Sequence, residues 1–344
     1  MSDLYSRYLK LCEQFGMLSG ISFELTNFCN FSCTHCYRVH GKSFLSPDLF
    51  YKALTEAENL GAIMVGFNGG EPTLHPQFLE FAQSVLCRGM HLTVLTNGSG
   101  LTNEVVDTLM PWRKGIHFQL SIYGTNPESG YKITGVPNAF QVSLDCGLKL
   151  QHLGFDLQVA LLVLASTASD IRTFIAYLRS EEINYGLMPQ LSIIENGDKS
   201  PHSLAASDDQ LIGLLPFKSA FLADSAEPIV FPISNSSSTI ACGAGITTFG
   251  IRVDGRILPC QVFSDPVLGN IATDSLNFAL HCDARKQFLF DNGIPENCLS
   301  CALFSNCTRC PADALAETGS LTGIPSESCR IAKLRAKFHI DSSK

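Results

Sequence analysis

Between Ile21 and Glu195, short apolar runs alternate with longer amphipathic ones, and this rhythm constrains the fold more than any other feature. The runs Ile21–Leu25, Ala62–Phe67, His91–Leu95, Ile116–Ile122, Leu157–Leu164 and Tyr185–Ile194 read as strands. The intervening segments Pro47–Leu60, Gln77–Arg88, Asn103–Leu109, Ala139–Leu153 and Ser169–Ser180 carry helical periodicity. Strands this apolar are buried on both faces, and parallel neighbours need crossover connections. The rhythm predicts an α/β fold with six strand-helix units, a partial open (β/α)6 barrel. Open α/β sheets take ligands beyond the carboxyl ends of their strands, so the residues there are the first candidates for chemistry.

Residues 1–20 place Leu4, Tyr8, Leu11, Cys12 and Phe15 at helical spacing, which predicts a helix packing that face on the barrel. Residues 196–240 are richer in Ser, Pro and Asp and read as a bridge. From 241 to 335 long periodic segments are few and Cys, Gly and Pro abundant, predicting a loop-rich domain organised by metal; 336–344 form a tail. The formal charge of -8 leaves no cationic excess to release counterions from nucleic acid, which is excluded as a main partner. The sequence shows no secretory pattern and no apolar stretch long enough for a membrane span, so a cytoplasmic protein is expected.

In a reducing compartment, fourteen cysteines read as metal ligands or catalytic groups before they read as disulfides. Cys29, Cys33 and Cys36 fall within eight residues just after the first strand, and eight more lie between Cys242 and Cys329. Three thiolates at the first spacing can hold three corners of an iron-sulfur cubane and leave the fourth iron open. The competing reading is a structural zinc site completed by His35 or a distant residue. Cys12, Cys87 and Cys146 lie in helical, largely apolar contexts and are expected to be buried structural thiols. His35 and His75 are near these motifs in sequence, but lone histidines are too common there to name as catalysts.

The segment Cys29-Asn30-Phe31-Ser32-Cys33-Thr34-His35-Cys36-Tyr37 resembles the CxxxCxxC element of the radical S-adenosylmethionine superfamily. The resemblance extends over residues 22–195: Gly69-Gly70-Glu71-Pro72 follows the second strand, Thr96-Asn97-Gly98 the third, and Ser121-Ile122-Tyr123-Gly124 ends the fourth. It implies that Cys29, Cys33 and Cys36 hold a catalytic [4Fe-4S] cluster. It further implies that Tyr37, Gly69, Gly70, Glu71, Pro72, Asn97 and Ser121 surround S-adenosylmethionine, whose amino and carboxylate groups chelate the open iron. Gly70 is expected to leave room for the methionyl group, and Ser121 to contact the carboxylate or ribose. Tyr123 stands where the family often has Asp. The implied activity is reductive cleavage of S-adenosylmethionine to a 5'-deoxyadenosyl radical that takes hydrogen from a substrate carbon.

Cys242, Gly255-Arg256-Ile257-Leu258-Pro259-Cys260, Cys298-Leu299-Ser300-Cys301, Cys307, Cys310 and Cys329 resemble the SPASM extension of peptide-maturing members, which carries two auxiliary iron-sulfur clusters. By that analogy Cys242, Cys260 and Cys310 hold the first auxiliary cluster, and Cys298, Cys301, Cys307 and Cys329 the second. One departure is that two residues, Thr308 and Arg309, separate Cys307 from Cys310 where the family has three. A zinc knuckle of Cys298, Cys301, Cys307 and Cys310 is the competing reading; it leaves Cys242, Cys260 and Cys329 unexplained. Residues 233–241 lack the extra cysteine of fully ligated relatives, so the fourth position of the first auxiliary cluster is either Cys282 or open. The resemblance implies a ribosomally made precursor peptide as substrate, recognised by a separate protein or through a leader bound by the barrel itself, with a reductant such as flavodoxin or ferredoxin. The alternatives are epimerisation or dehydrogenation of a sugar or aminocyclitol, and an electron-transfer protein without radical chemistry.

Overall fold

The computed structural model describes residues 3–214, 231–232, 239–240 and 242–340. Residues 215–230 and 233–238 of the expected bridge, which include most of the thiol-free stretch before Cys242, and the end of the tail lie outside the described residues.

The six anticipated strands form at Gly20–Thr26 (β1), Met64–Gly69 (β2), His91–Thr96 (β3), Ile116–Ile122 (β4), Asp156–Leu162 (β5) and Asn184–Met188 (β6). They pair in parallel and in chain order, without closing into a barrel. The chain begins with helix α1, Asp3–Phe15; α2, Pro47–Asn59, follows β1, and α3, Phe78–Cys87, follows β2. Ser46 starts α2 by accepting the Leu49 N–H, with Pro47 pre-set in its first turn. Helix α4, Asn103–Leu109, follows β3 and is capped in the same way by Thr102.

Four expectations are corrected. The expected sixth strand stops at Met188 because Pro189 has no N–H to continue the ladder, although Leu191 and Ile193 remain buried. A helix absent from the sequence reading, α5 at Pro127–Thr134, precedes α6, Ala139–His152; α7, Ile171–Ser180, follows β5. The signals for α5 were Asn126-Pro127 at its start, with a capping box to Ser129, and Gly135 at φ 69° at its end. Helix α1 packs only part of the expected face, keeping Tyr8 and Cys12 inside and adding Leu9. Leu9 and Cys12 are buried and Tyr8 donates to Gly61 O at 2.8 Å, while Leu4, Leu11 and Phe15 are exposed. Cys87, expected to be buried, is exposed as the last residue of α3, where Val85 and Leu86 take the core side.

The C-terminal region also departs from a loop-rich unit held by metal alone. After a two-stranded ribbon of Phe231–Pro232 (β7) and Thr239–Ile240 (β8), the strand Thr248–Ile251 (β9) pairs in parallel with β1, Gly20 opposite Thr248. Arg256–Leu258 (β10) and Gly269–Asn270 (β11) extend the sheet in antiparallel fashion, giving nine strands in the order β11-β10-β9-β1-β2-β3-β4-β5-β6. Phe249, Ile251, Ile257, Leu268, Ile271 and Leu276 therefore join the barrel's own core. A second, smaller core of Ala244, Phe263, Phe288 and Ala312 lies apart from it.

Candidate cluster and cofactor site

The loop after β1 is held on two sides by backbone. Gly70 N donates to Thr26 O at 2.7 Å and Glu71 N to Phe28 O at 2.8 Å; from the opposite side, Ser32 N and Thr34 N donate to Thr134 O and Ile133 O, both at 2.9 Å. The second pair comes from the end of α5, so the helix missed in the sequence is part of what positions Cys33. Within the loop Cys29 Sγ accepts the Phe31 N–H at 3.4 Å, and Cys36 Sγ lies 3.4 Å from His40 Nε2. Burial pushes the Cys29 thiol up to about 11, and Cys33 higher still, aided by the neighbouring Cys36 and Cys29. Cys36 is raised by burial as well. Three thiols whose ionisation is opposed chiefly by burial suit a cationic group that takes up the charge on deprotonation. Among the described residues, no three Cys, His, Asp or Glu converge to hold one metal ion. A cubane takes each thiolate on a different iron, so its donors need not converge on one point.

Gly69 and Gly70 serve the backbone. Gly69 has φ 128°, and a Cβ there would stand 2.2 Å from Thr26 O; a Cβ on Gly70 would meet Phe28 O at 2.1 Å. A side chain at Gly70 thus strikes the cysteine loop, an obstacle separate from any room the glycine leaves for a cofactor. The Glu71 carboxylate is fully engaged, accepting from Thr73 Oγ1 and Thr96 Oγ1 at 2.5 Å, Asn97 N at 2.6 Å and Thr73 N at 3.2 Å. Burial raises its pKa against the pull of these donors. It staples the ends of β2 and β3, with Pro72 opening the short turn between them. Asn97 Nδ2 donates to Asn30 Oδ1 at 3.1 Å, and its carbonyl accepts from Ser143 Oγ at 2.7 Å.

Ser121 shares a side-chain hydrogen bond with Tyr123, whose pKa is raised by burial and then by Cys33. The Tyr123 ring lies 4.6 Å from the His35 ring, and burial pushes His35 down to about 4. His75 is structural, its Nε2 2.9 Å from Leu45 O and its Nδ1 accepting from Gln77 N.

A buried charge network went unread in the sequence. Arg38, two residues past Cys36, lies 3.8 Å from Glu24 on β1 and 3.4 Å from Glu195, and donates to Gln261 O at 2.8 Å. Arg252, just after β9, pairs with Glu24 at 3.1 Å and with Glu195. Burial raises the Glu24 carboxyl, which Arg38 opposes. The available signal was a lone Glu and a lone Arg in otherwise apolar runs. The network ties the cysteine loop to β1, to the end of β9 and to the segment after β6.

The C-terminal cysteines differ in their surroundings. Cys242, Cys260 and Cys310 pack on the smaller core. Burial pushes Cys260 up to about 11, with Cys242 adding to it; burial, then Asp313, then Cys260 and Cys242 hold Cys310 near 12. Cys307 is raised by burial and by Cys329, Cys298 and Cys301. Cys29, Cys242, Cys260 and Cys301 each accept the N–H of the residue two ahead at 3.4 Å. Cys282 does not follow this turn. It caps the helix Asp283–Asp291, accepting the Arg285 N–H, and its thiol donates to Leu268 O and Ala279 O. It packs on the barrel core rather than on the core that carries Cys242, Cys260 and Cys310.

Between the two regions opens a cavity of about 600 Å³, counted with its mouth, lined by Tyr37, Ser192, Glu195, Val262, Phe263 and Asp313 among others. The Tyr37 carbonyl accepts from Glu195 N at 2.9 Å.

The Radical SAM superfamily profile matches residues 23–178, and that of an iron-sulfur cluster-binding domain, SPASM, matches residues 242–311. PqqA peptide cyclase of Methylorubrum extorquens is 25% identical over 355 residues, covering 93% of this chain and 86% of the relative. Among solved structures, anSMEcpe with bound AdoMet and Cp18Cys peptide superposes with a TM-score of 0.75 at 17% identity, covering 94% of this chain and 97% of the other. Streptococcus suis SuiB bound to precursor peptide SuiA does so at 0.69 and 16%, covering 95% and 80%. No helix among the described residues is long and apolar enough to cross a membrane. With the cysteine loop at the end of β1 and the further cysteines from Cys242 to Cys329 on either side of β9, the chain belongs to the radical S-adenosylmethionine superfamily and carries a C-terminal SPASM domain.

Proposed function

We propose that this radical S-adenosylmethionine enzyme modifies a side chain of a ribosomally made peptide or protein. The observation that carries the reading is the similarity to PqqA peptide cyclase across 93% of the chain. The cavity between the cysteine loop and Cys260 adds room for a substrate segment.

Cys29, Cys33 and Cys36 would hold the catalytic [4Fe-4S] cluster, with S-adenosylmethionine at the open iron near Asn97 and Ser121. When bound, the pair supplies a one-electron route to hydrogen abstraction from an unactivated carbon. The protein's part is to fix the loop through Gly70, Glu71 and α5, to hold the target carbon in place, and to exclude water. Two auxiliary clusters are assigned, the first on Cys242, Cys260 and Cys310, the second on Cys298, Cys301, Cys307 and Cys329. The first keeps an open position, because Cys282 is engaged in its helix cap. Residues 21–195 are assigned to cofactor chemistry and 241–335 to the auxiliary clusters. A cytoplasmic setting with a flavodoxin or ferredoxin as reductant, and a separate peptide-recognition protein, complete the reading.

The test is anaerobic reconstitution, reduction and incubation with a short precursor encoded beside the gene. The expected result is 5'-deoxyadenosine together with a peptide mass change that needs both S-adenosylmethionine and reductant. Replacing Cys29, Cys33 and Cys36 by Ala should abolish both products and leave iron at the C-terminal sites. Parental 5'-deoxyadenosine from that variant would overturn the cluster assignment; its formation by the parent with no peptide changed would favour a small-molecule substrate.

A further inference from the structure

The cavity beside the first auxiliary cysteine set has two carboxylates in unequal circumstances. Glu195 is neutralised by Arg38 and Arg252 and also accepts the Val39 N–H at 2.9 Å. Asp313 is met by neutral donors: Gln190 Nε2 at 3.1 Å and the Ser192 hydroxyl. His202 stands near enough to influence it, but His202 Nε2 is 3.0 Å from Leu191 O and taken up there. Glu317, one helical turn on, adds negative charge to the same face. No Lys or Arg among the described residues pairs with Asp313.

The rest of the lining is mixed, with Ile193, Val262, Phe263 and Leu315 supplying apolar surface and Tyr37, Ser192 and Ser264 polar groups. An apolar stretch of wall beside one unneutralised carboxylate fits a side chain with an aliphatic stem and a cationic head. The place suits a substrate as well. Tyr37 follows Cys36, Val262 and Phe263 follow Cys260, and Ala312 and Asp313 follow Cys310, so an occupant lies between the catalytic loop and the first auxiliary set.

We infer that this cavity is a substrate subsite for a basic side chain, lysine or arginine, with Asp313 as its specificity-determining carboxylate. The inference rests on the peptide reading for its choice of ligand, and it deepens that reading by naming a residue the peptide must present.

Binding is measured by calorimetry on the anaerobically reconstituted full chain, with three single-residue probes and one longer one. The first three are Nα-acetyl-lysine methylamide, its norleucine counterpart and its Nε-acetylated form; the fourth is acetyl-Gly-Ala-Lys-Ala-Gly-amide. The lysine probe should bind at least about tenfold more tightly than the norleucine and Nε-acetyl probes, the scale of one charge-assisted hydrogen bond. Asp313→Asn, nearly isosteric, should abolish the preference while iron content and thermal unfolding stay as in the parent. Equal binding of the three probes by the parent overturns the subsite without any appeal to a variant, and an undiminished preference in Asp313→Asn overturns the role of Asp313. An Asp313-dependent preference with no added affinity for the longer probe supports the subsite and counts against the peptide reading alone.

Discussion

The two cysteine regions are built on opposite principles. The loop of Cys29, Cys33 and Cys36 is clamped by the backbone of β2 and α5 and underpinned by the buried Glu24, Arg38, Glu195 and Arg252 network. Cys298, Cys301 and Cys307 sit on a short helix and loops, with Cys301 exposed, while Cys329 stands on the fifteen-residue helix Ser326–Ile340. The contrast predicts that the first region is ordered before its cluster arrives and that residues 296–310, which bury no side chain, depend on metal for their shape. Between these extremes, Cys242, Cys260 and Cys310 share the smaller core of Phe263 and Phe288.

Removal of iron by an anaerobic chelator gives the largest expected effect. Amide exchange across 296–310 should accelerate by about tenfold or more, while β1 and β2 keep their protection. Equal loosening of both regions would break the contrast. Gly70→Val sharpens it from the ordered side. Overpacking against Phe28 should cost about 1–3 kcal/mol, lowering the unfolding temperature together with iron at the first site. Unchanged stability with weakened S-adenosylmethionine binding would assign Gly70 to making cofactor room. Cys282→Ala should have the smallest effect, about 0.5–1 kcal/mol for a lost helix cap, with auxiliary iron unaltered. Loss of a cluster would make Cys282 the missing ligand and fill the open position.

The parallel order of six strands, the start of α2 at Ser46-Pro47 and the grouping of thiols by spacing were legible along the chain, because hydrophobic period, helix caps and short ligand spacings are local properties. They were enough to indicate the chemistry. Helix α5 was legible too, in Asn126-Pro127 and Gly135, and was missed beside stronger apolar runs. Other features had no local signal. The pairing of β9 with β1 joins residues 228 positions apart, Gly20 with Thr248, and it moved Phe249 and Ile251 into the barrel core. The burial of Leu9 rather than Leu11 and Phe15 depended on which side of α1 met the sheet.

Local pattern determined which residues form elements and which thiols form sets. Only tertiary structure decided that Gly70 presses on Phe28, that Glu71 is consumed by Thr73, Thr96 and Asn97, and that Arg252 completes a charge network begun at Glu24. It also decided that Asp313 lines a cavity and that no Lys or Arg among the described residues pairs with it. These outcomes depend on contacts between distant segments, where burial sets the strength of a charge and a few tenths of an ångström decide whether a side chain fits, and neither quantity is encoded in the spacing of residues along the chain.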